Sequence, residues 1–597
     1  MCGIEGFNFS DKAAIRRMIR LQNHRGPDDS GVFVDNKISI GNNRLAIIDL
    51  SKKGRQPMSN EDGSIWIVFN GEIYNFQPLR EELEAQGHKF ASDTDTEVLV
   101  HGYEEWGETF VKKLNGMWAF AIYDSRKNIL YMSRDRFGKK PLYYYYKDGE
   151  LIFASEIKAI MSHKTVDRKI NPAAVEFYIG LSWIPEPLTI YKNIFKLPKS
   201  SYCIFDLKKK KFTKIEKYYS IQNYSQKIQD KDTIIKTVRK LIDDSVKLRM
   251  IADVPVGSFL SGGLDSSTVT ATMLNIIGKH EDLHTFSIGF EGNYDESRYA
   301  LSMAETLGTT HHHEYFGQKD FDRLMKNIYF YYDEPLADPS IYPTYKVSEL
   351  ARKFVTVSLS GDGADEMFGG YGHYVNYKRL NVLKKFPNAM KIAGRIFFDK
   401  TYKATNSKYA MKFLNDFNAV LDSSHVPNPT STSMKMLQQM KSKKNDMLDR
   451  AFDFDINFTL VDGYLVKVDR ASMANSLEVR CPFLDYRIAD FSQKIPSSYK
   501  VSLYGTKVIF REIISDRVPK IITSRKKKMG FTPPIIEWLN KDYKSVADEK
   551  INELKKTGLI DEKIVDKCIS SANKQGMFNL FSLRLWQEKW MEGIEDE

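Results

Sequence analysis

Cys2 would become the N-terminal residue if Met1 were removed, and that position could make its thiol a nucleophile. Removal of Met1 would give Cys2 a free α-amino group, whose pKa of about 7.7–8 suits a general base. Because the thiolate is the attacking species, an amine and a thiol on one residue form a compact nucleophile. The other cysteines are far apart and form no C-x-x-C pair, which argues against disulfides and zinc knuckles: Cys203, Cys481 and Cys568.

Five polar or glycine-containing segments follow Cys2 within the first 142 residues. They are HRGPD at 24–28, RLAIID at 44–49, NGEIYN at 70–75, SDTDTE at 92–97 and RDRFGKKPL at 134–142. With the opening Cys2-Gly3-Ile4, their order resembles the N-terminal-nucleophile glutamine amidotransferase domain of glutamine-hydrolysing asparagine synthetases. The resemblance implies that this region hydrolyses glutamine with Cys2 as the nucleophile.

The same resemblance implies which residues surround the glutamine. Attack on the amide creates an oxyanion that needs a backbone N–H and a side-chain amide as donors, and Asn70 and Gly71 match those catalytic positions. A guanidinium suits the α-carboxylate of glutamine, and Arg44 matches that position. Glu72 and Asp95 match the residues that bind the α-ammonium group, and Asn70 also belongs to the glutamine-binding set.

A second segment with chemical potential, SGGLDSS at 261–267, lies between a strand-like run and a helical run. Its glycines let backbone N–H groups close around an anion, and the helix that follows adds its N-terminal dipole. The serine hydroxyls add donors, and Asp265 can hold Mg²⁺ against phosphates. The loop is neither a Walker loop nor G-x-G-x-x-G. It resembles the pyrophosphate loop of ATP pyrophosphatases, which release PPi and leave AMP on the substrate.

Four more segments extend the resemblance to the synthetase domain of the same family: SGDGADE at 360–366, LVKVDRASMA at 465–474, LEVRCPFLD at 477–485 and RKKKMGF at 525–531. The resemblance implies Mg²⁺ coordination by Asp265 and Asp365, which is physically sensible because pyrophosphate carries several negative charges. It also implies an ATP site formed by Leu260, Ser261, Gly262, Gly263, Asp265, Ser266, Ile288, Ser360 and Gly361.

Two further residues concern the carboxylate that is activated, and we expect both to be catalytic. The resemblance places Lys528 opposite the activated carboxyl group, where its charge would stabilise the adenylation transition state. A solvated lysine run is the alternative. Asp362 stands where the well-known bacterial asparagine synthetases carry glutamate, linked to acyl-adenylate formation or ammonia acceptance. The side chain of Asp362 is one methylene shorter than glutamate, so this position does not by itself identify the substrate. That the substrate is aspartate follows from the family resemblance.

Two different architectures must position these groups. Short runs rich in β-branched and aromatic residues, such as 65–69 and 117–123, predict a mostly β region up to about residue 205. Later strand-like runs at 254–260, 284–290 and 354–359 alternate with helical patterns and predict a parallel sheet. Together with these patterns, the resemblance implies an α+β N-terminal-nucleophile sandwich (αββα) at 1–205, a linker at 206–231, and an α/β parallel-sheet ATP-pyrophosphatase domain with a helical C-terminal extension at 232–597.

The composition is that of a globular protein, with 42% hydrophobic and 28% charged residues. The net charge of +11 is small for 597 residues and does not by itself indicate a polyanionic partner. No stretch approaches about 18 consecutive apolar residues, and no signal peptide precedes the first motif. We therefore expect a cytoplasmic protein with small-molecule partners, no nucleic acid and no membrane. A homodimer is one possible assembly, for which the sequence carries no separate signal.

The predicted reaction activates a carboxylate with ATP and Mg²⁺, forming an acyl-adenylate that ammonia from glutamine then amidates. The resemblance favours aspartate, with asparagine, glutamate, AMP and PPi as products. The same chemistry on another carboxylate, such as a sugar acid, is the nearest alternative. A tRNA sulfur-transfer enzyme would need an additional reactive cysteine pair. A non-catalytic glutamine-binding scaffold would not need Cys2 together with both magnesium-type aspartates.

Overall fold

The computed structural model describes residues 2–222, 224–278, 283–291, 295–383, 430–442, 444, 446–525, 531, 533–570 and 574–592. Two six-stranded antiparallel sheets form its N-terminal part, in the orders β10-β8-β9-β1-β3-β2 and β12-β11-β7-β6-β5-β4. Their strands are β1 (Gly3–Phe7), β2 (Asp29–Val34), β3 (Ser39–Arg44), β4 (Met58–Ser59), β5 (Ile65–Ile73), β6 (Gly116–Asp124), β7 (Ile129–Arg134), β8 (Tyr143–Lys147), β9 (Glu150–Ala154), β10 (Ile194–Lys196), β11 (Ser201–Asp206) and β12 (Lys211–Lys217).

The two sheets pack face to face through the side chains that alternate along their strands. Ile4 and Phe153 of the first sheet share one buried cluster with Val68 and Ala119 of the second. Helices contact the other faces of both sheets. The helices of this part of the chain are Lys12–Leu21, Phe76–Ala85, Asp95–Trp106, Ile157–Met161 and Pro172–Leu181. This layering confirms the predicted αββα sandwich.

The second sheet extends beyond residue 205, the predicted end of the first domain, because β11 and β12 form a hairpin at its edge. The lysine-rich turn between these strands is the hairpin tip, and β12 pairs with β11 from Ser201 opposite Lys217 to Asp206 opposite Lys211. The predicted linker at 206–231 therefore supplies the last strand of the sandwich. The helix Lys231–Arg249 then begins the second domain.

The second domain contains a five-stranded sheet of order β15-β14-β13-β16-β17 in which every pair is parallel. The strands are β13 (Val256–Phe259), β14 (His284–Phe290), β15 (Thr310–Phe316), β16 (Val357–Leu359) and β17 (Glu478–Arg480). The first, second and fourth confirm predicted strands. β13 and β16 are neighbours in the sheet. After β13 the chain continues to β14 and β15 at one edge, and after β16 it continues to β17 at the other edge. In open α/β sheets the crevice at such a switch point, beyond the carboxyl ends of the strands, is where ligands bind.

The α-helices of the second domain pack around this sheet and form the predicted helical extension. In the described part of the chain, no helix combines the length and the apolar character that crossing a bilayer requires. The helices are Lys231–Arg249, Leu264–Ile277, Ser297–Leu307, Gln318–Tyr331, Ile341–Arg352, Ala364–Phe368, Gly372–Leu383, Ser431–Gln439, Met447–Phe454, Leu465–Met473, Tyr486–Ser492, Ser497–Lys500, Val508–Ile513, Lys520–Thr523, Ile535–Trp538, Lys544–Lys556, Glu562–Ser570 and Lys574–Gln587.

Candidate active sites

Cys2 lies directly before β1, an inner strand of the first sheet that is paired on both sides. The backbone nitrogen of Cys2 donates a hydrogen bond of 3.2 Å to Oδ1 of Asn70. Burial raises the pKa of the Cys2 thiol, and the positive charge of Arg44 opposes that effect. Removal of Met1 would convert the nitrogen that faces Asn70 into the α-amine that the sequence analysis requires as a base.

Asn70 and Gly71 lie on β5, which places the predicted oxyanion donors beside Cys2. The Asn70 side chain is buried, and its Nδ2 lies 3.4 Å from Oγ of Ser155. The Ser155 hydroxyl also accepts the backbone N–H of Ile4 at 3.1 Å, so it ties β1 to the Asn70 amide. A Cβ atom on Gly71 would lie 2.1 Å from the carbonyl oxygen of Met117, so glycine is required at this position. The sequence analysis did not identify Ser155.

Arg44, at the end of β3, is held by the loop that follows it. Its guanidinium donates to the carbonyl oxygens of Ile48 at 3.3 Å and Ser51 at 3.0 Å, and also to that of Asp49. A Cβ atom on Gly54 would lie 2.1 Å from Nη2 of Arg44, so this loop wraps closely around the guanidinium. These contacts fix the predicted carboxylate-binding arginine near the thiol.

Glu72 and Asp95 form a buried pair of carboxylates next to one guanidinium. Asp95 accepts the backbone N–H of Ile73 at 2.7 Å, and burial raises its pKa to about 6. Burial also raises the pKa of Glu72, although the charge of Arg480, whose Nη2 lies 3.0 Å from the Glu72 carboxylate, opposes the shift. A further cation, such as a substrate ammonium group, would stabilise the ionised forms of both acids.

Arg480 reaches this pocket from β17 of the second domain. Its Nε donates to Glu478 at 2.6 Å, and its backbone carbonyl accepts the N–H of Ser360 at 2.9 Å. The sequence analysis included residues 477–485 as a family segment but gave no role to this pair. Glu478 and Arg480 are two residues apart, and residues i and i+2 of a strand point to the same face. This spacing was the feature of the sequence that could have indicated the pair.

Arg25 connects the backbone of Cys2 with the second domain. Its Nε donates to the Cys2 carbonyl at 3.2 Å, and its Nη1 lies 2.9 Å from both Glu156 and Asp469. Burial would raise the pKa of Asp469, but the positive charges around it, Arg25 foremost, hold the value below its usual range. Two segments used for the resemblance, 24–28 and 465–474, therefore meet in a buried interface directly behind Cys2.

A cavity of about 760 Å³ opens beyond the carboxyl ends of β13 and β16, at the switch point of the parallel sheet. The predicted residues that line it are Leu260, Ser261, Gly263, Asp265, Ser266, Ile288, Ser360, Gly361, Asp362 and Asp365. Gly262 serves the turn behind the cavity, because its φ is +67° and a Cβ atom there would lie 2.4 Å from the backbone of Tyr299. Lys528 lies outside the described residues.

The two loops at this cavity are in direct contact. A Cβ atom on Gly361 would lie 2.7 Å from Cβ of Asp265, so only glycine lets the second loop approach the first so closely. Within the first loop, the backbone N–H of Ser261 donates to Oγ of Ser266 at 3.2 Å. Asp362 accepts a hydrogen bond of 2.7 Å from the Ser360 hydroxyl, which fixes the Asp362 carboxylate at the cavity.

Lys507 joins the two predicted magnesium ligands and was missed by the sequence analysis. Its buried ammonium group forms ion pairs with both Asp265 and Asp365. A Cβ atom on Gly370 would lie 1.7 Å from the Asp365 carboxylate and 2.5 Å from the Lys507 side chain, so glycine makes the arrangement possible. No local pattern distinguishes Lys507 from the other 87 lysines and arginines. Two carboxylates that converge on one cation are the hard oxygen donors that Mg²⁺ prefers, so these residues fit that ion.

The fold and the two sites define a glutamine amidotransferase domain joined to an α/β synthetase domain. Residues 1–219 match the family model described as a glutamine amidotransferase domain, and residues 237–592 match the model described as asparagine synthase. The second match alone spans more than half of the 597 residues. The chain belongs to the asparagine synthase family.

Individual relatives are similar over most of their length. A Methanocaldococcus jannaschii protein, provisionally named glutamine-hydrolyzing asparagine synthetase 2, is 43% identical over 511 residues, which cover 79% of this chain and 98% of that protein. Glutamine-hydrolyzing asparagine synthetase 1 of Bacillus subtilis is 34% identical and covers 98% of this chain and 96% of its own. Asparagine synthetase 3 of the same species is 33% identical, with 96% and 94% covered.

Proposed function

We propose that this protein is a glutamine-hydrolysing asparagine synthetase that amidates the β-carboxyl group of aspartate with ammonia from glutamine, at the expense of ATP. The observation that carries the proposal is the combination of two sites in one chain. A buried cysteine beside Asn70 and Arg44 suits amide hydrolysis, and two aspartate-bearing loops at a 760 Å³ cavity suit nucleotide activation. The family membership and the similarity to curated asparagine synthetases favour aspartate over other carboxylates.

In the glutaminase half-reaction, the α-amine of Cys2 takes the thiol proton and the sulfur attacks the amide carbon of glutamine. Arg44 would bind the α-carboxylate, and Glu72 and Asp95 would bind the α-ammonium group. Donors from Asn70 and Gly71 would stabilise the oxyanion. The proton held by the α-amine then passes to the leaving ammonia. Water hydrolyses the remaining thioester to glutamate and restores the thiol.

In the synthetase half-reaction, an oxygen of the aspartate β-carboxylate attacks the α-phosphorus of ATP, and PPi leaves. Ammonia then attacks the acyl carbon, loses a proton, and displaces AMP. The backbone N–H groups of residues 261–266 would hold the phosphates, as helix N-termini and glycine loops commonly do. Mg²⁺ bound by Asp265 and Asp365 would supply positive charge against the departing pyrophosphate.

Three side chains are proposed to act on the reacting groups at this cavity. Lys507 would move from the two aspartates toward the pyrophosphate oxygens when the metal takes its place, because three positive charges cannot share so small a space. Lys528 would face the activated carboxyl group. Asp362, held by Ser360, would take the proton that ammonia loses when it attacks the acyl-adenylate.

The test is a measurement of PPi and asparagine with aspartate, ATP and Mg²⁺, using glutamine labelled with ¹⁵N in its amide group. We expect one PPi for each asparagine and the label in the asparagine side chain. A parallel series with free ammonia separates the two half-reactions, and a panel of sugar acids and other carboxylates tests the acceptor. PPi release with one of those acids, and none with aspartate, would contradict the proposed acceptor.

A further inference from the structure

A second group of potential ligands lies in the glutaminase domain, at the second half of the helix Asp95–Trp106. His88, His101 and Glu104 each present one coordinating atom, and these atoms all lie within 4.8 Å of one another. We propose that these three residues form a binding site for a divalent transition-metal ion of the Zn²⁺ type. The inference concerns a site that neither half-reaction uses, so it stands independently of the proposed function.

The donor set is the first argument. Two imidazoles and one carboxylate are a recurrent zinc combination, with bonds of about 2.0–2.2 Å and open positions filled by water or a further ligand. Nδ1 of His101 already lies 3.1 Å from Oε2 of Glu104, and the rings of His88 and His101 are 4.9 Å apart. Glu105, 3.3 Å from Nε2 of His88, can supply a fourth donor. Ions such as Mg²⁺ prefer all-oxygen sites, so this set selects against them.

The surroundings of His101 are the second argument. This histidine is 1% exposed, and its Nε2 lies 3.6 Å from the carboxylate of Glu97, on the side opposite Glu104. Glu97 is itself fixed by the backbone N–H groups of Ala91 and Ser92, each at 2.8 Å. A ring nitrogen directed at a metal while the other faces an anchored carboxylate is the arrangement that orients histidine ligands in metalloproteins.

One of the three proposed ligands is fixed and the other two can adjust their side chains to a metal ion. His101 is held on the helix Asp95–Trp106, whereas His88 and Glu104 are partly exposed. Tetrahedral ligands lie about 3.4 Å apart at these bond lengths. Rotation of the two partly exposed side chains closes the remaining gap without a change in the helix. A bound ion would join the segment that carries His88 to the helix that also carries Asp95. Asp95 precedes His101 by six residues, or about 9 Å along the helix axis.

An ion-pair network without metal is the competing explanation. A protonated His101 between Glu97 and Glu104 would satisfy the same atoms, and these two glutamates raise its pKa to about 9 despite burial. The two explanations differ in one observable property. Only the metal site requires His88, because His88 is no part of the Glu97–His101–Glu104 arrangement.

Cobalt(II) is the probe for the experiment, because its visible absorption reports four- or five-coordinate nitrogen and oxygen ligands. The full-length chain is used as the Cys2→Ala variant, since an N-terminal cysteine would chelate the metal. Excess Mg²⁺ is included to occupy Asp265 and Asp365. We expect one equivalent of Co²⁺ to produce the absorption, one equivalent of Zn²⁺ to remove it, and Zn²⁺ to raise the Tm.

His88→Ala and Glu104→Gln, each added to Cys2→Ala, should abolish the absorption, and Glu97→Gln should weaken binding about 10- to 100-fold. These positions are preferred to His101, whose replacement would disturb the core. His163→Ala is the matched control, because His163 pairs with Glu150 at 3.5 Å outside the cluster and its loss should change nothing. The proposal is overturned if Cys2→Ala binds no Co²⁺, if His88→Ala binds it equally well, or if His163→Ala also abolishes it.

Discussion

The Cys2 pocket and the ATP cavity are prepared for their substrates in opposite ways. Around Cys2, the polar groups already have partners: Arg44 contacts three carbonyl groups, and Glu72 contacts Arg480. At the cavity, two aspartates are held together by the ammonium group of Lys507, which occupies the region proposed to bind a metal and pyrophosphate. The first site is preorganised, whereas under the proposed mechanism the second would exchange the lysine for a metal ion before it is complete.

The difference follows from the charges that each site receives. Glutamine is a zwitterion, so under the proposed assignment one fixed guanidinium and two acids would complement it without rearrangement. ATP carries several negative charges, and a site that held matching cations permanently would suffer their mutual repulsion in the free protein. A lysine paired with the two proposed metal ligands, Asp265 and Asp365, avoids that repulsion. We therefore expect substitutions in the pocket to affect one half-reaction, and substitutions at the cavity to affect both nitrogen sources.

The largest expected effect is that of Cys2→Ala. Glutamine-dependent asparagine synthesis should fall to background because no nucleophile remains. Synthesis with ammonium chloride should continue at the rate of the parent protein, since the cavity is untouched. Both rates are measured by PPi release. Loss of the ammonia-dependent rate as well would show that the two sites are not chemically separate.

Asp265→Asn should lower PPi release about 1,000-fold with either nitrogen source, because it removes a charged group that stabilises the transition state. Glutaminase activity, measured as glutamate formed without ATP, should stay near the parent value. An unchanged synthetase rate would remove the loop at 261–267 from the mechanism.

Lys507→Gln should lower the synthetase rate about 100-fold, again with either nitrogen source. It also leaves Asp265 and Asp365 facing each other without their shared ammonium group. Mg²⁺ should therefore raise the Tm of Lys507→Gln more than that of the parent protein, as measured by thermal denaturation with and without the ion. Equal shifts would contradict the exchange of cations at this site. Lys494→Gln, a substitution of a partly exposed lysine that lies over the ring of Tyr224, is the control.

The pH dependence of the glutaminase provides a smaller effect. Burial raises the pKa of Asp95 to about 6, so its carboxylate becomes protonated as the pH falls through that value. The attraction for the glutamine ammonium group is then lost. Below this pH, kcat/KM for glutamine should decrease about tenfold per pH unit in addition to the decrease that protonation of the Cys2 α-amine causes. Asp95→Asn should remove this limb of the profile. A limb that persists unchanged in Asp95→Asn would assign the titration to another group, such as Glu72.

The smallest expected effect concerns the coupling of the half-reactions. Asp469→Asn weakens the contact with Arg25 and so loosens the support of the Cys2 carbonyl. We expect the ratio of glutamate to asparagine formed to rise about fivefold, in the range usual for coupling between sites. Asp490→Asn is the control, because the Asp490 carboxylate accepts a hydrogen bond of 2.9 Å from the Tyr219 hydroxyl elsewhere between the domains. An equal change in both variants would mean that any loosened interface uncouples the protein.

The sequence predicted the groups that lie within continuous motifs. Cys2 directly precedes β1, Asn70 belongs to β5, and the loop at 261–267 follows β13. Their positions in the chain, together with the family resemblance of the motifs that contain them, indicated these groups. The sandwich and the parallel sheet were also predicted, because strand-like runs and their alternation with helices are local signals.

Groups brought from distant segments could not be predicted in the same way. Lys507 reaches Asp265 across 242 residues, and Arg480 reaches Glu72 from another domain. Strand β17 is three residues long and was expected within the helical extension, because its pairing with β16 depends on the sheet and not on its own sequence. The domain limits, the homodimer and the role of Lys528 stay predictions.

Arg480 belongs to both sites at once, since its side chain contacts Glu72 and its carbonyl oxygen accepts the N–H of Ser360. A displacement of Arg480 would therefore change the binding free energies of the ligands in both pockets. Binding free energies that depend on a shared element are reciprocal. Any factor by which ATP alters the affinity for glutamine through Arg480 must equal the factor by which glutamine alters the affinity for ATP, so neither substrate can act on the other in one direction only.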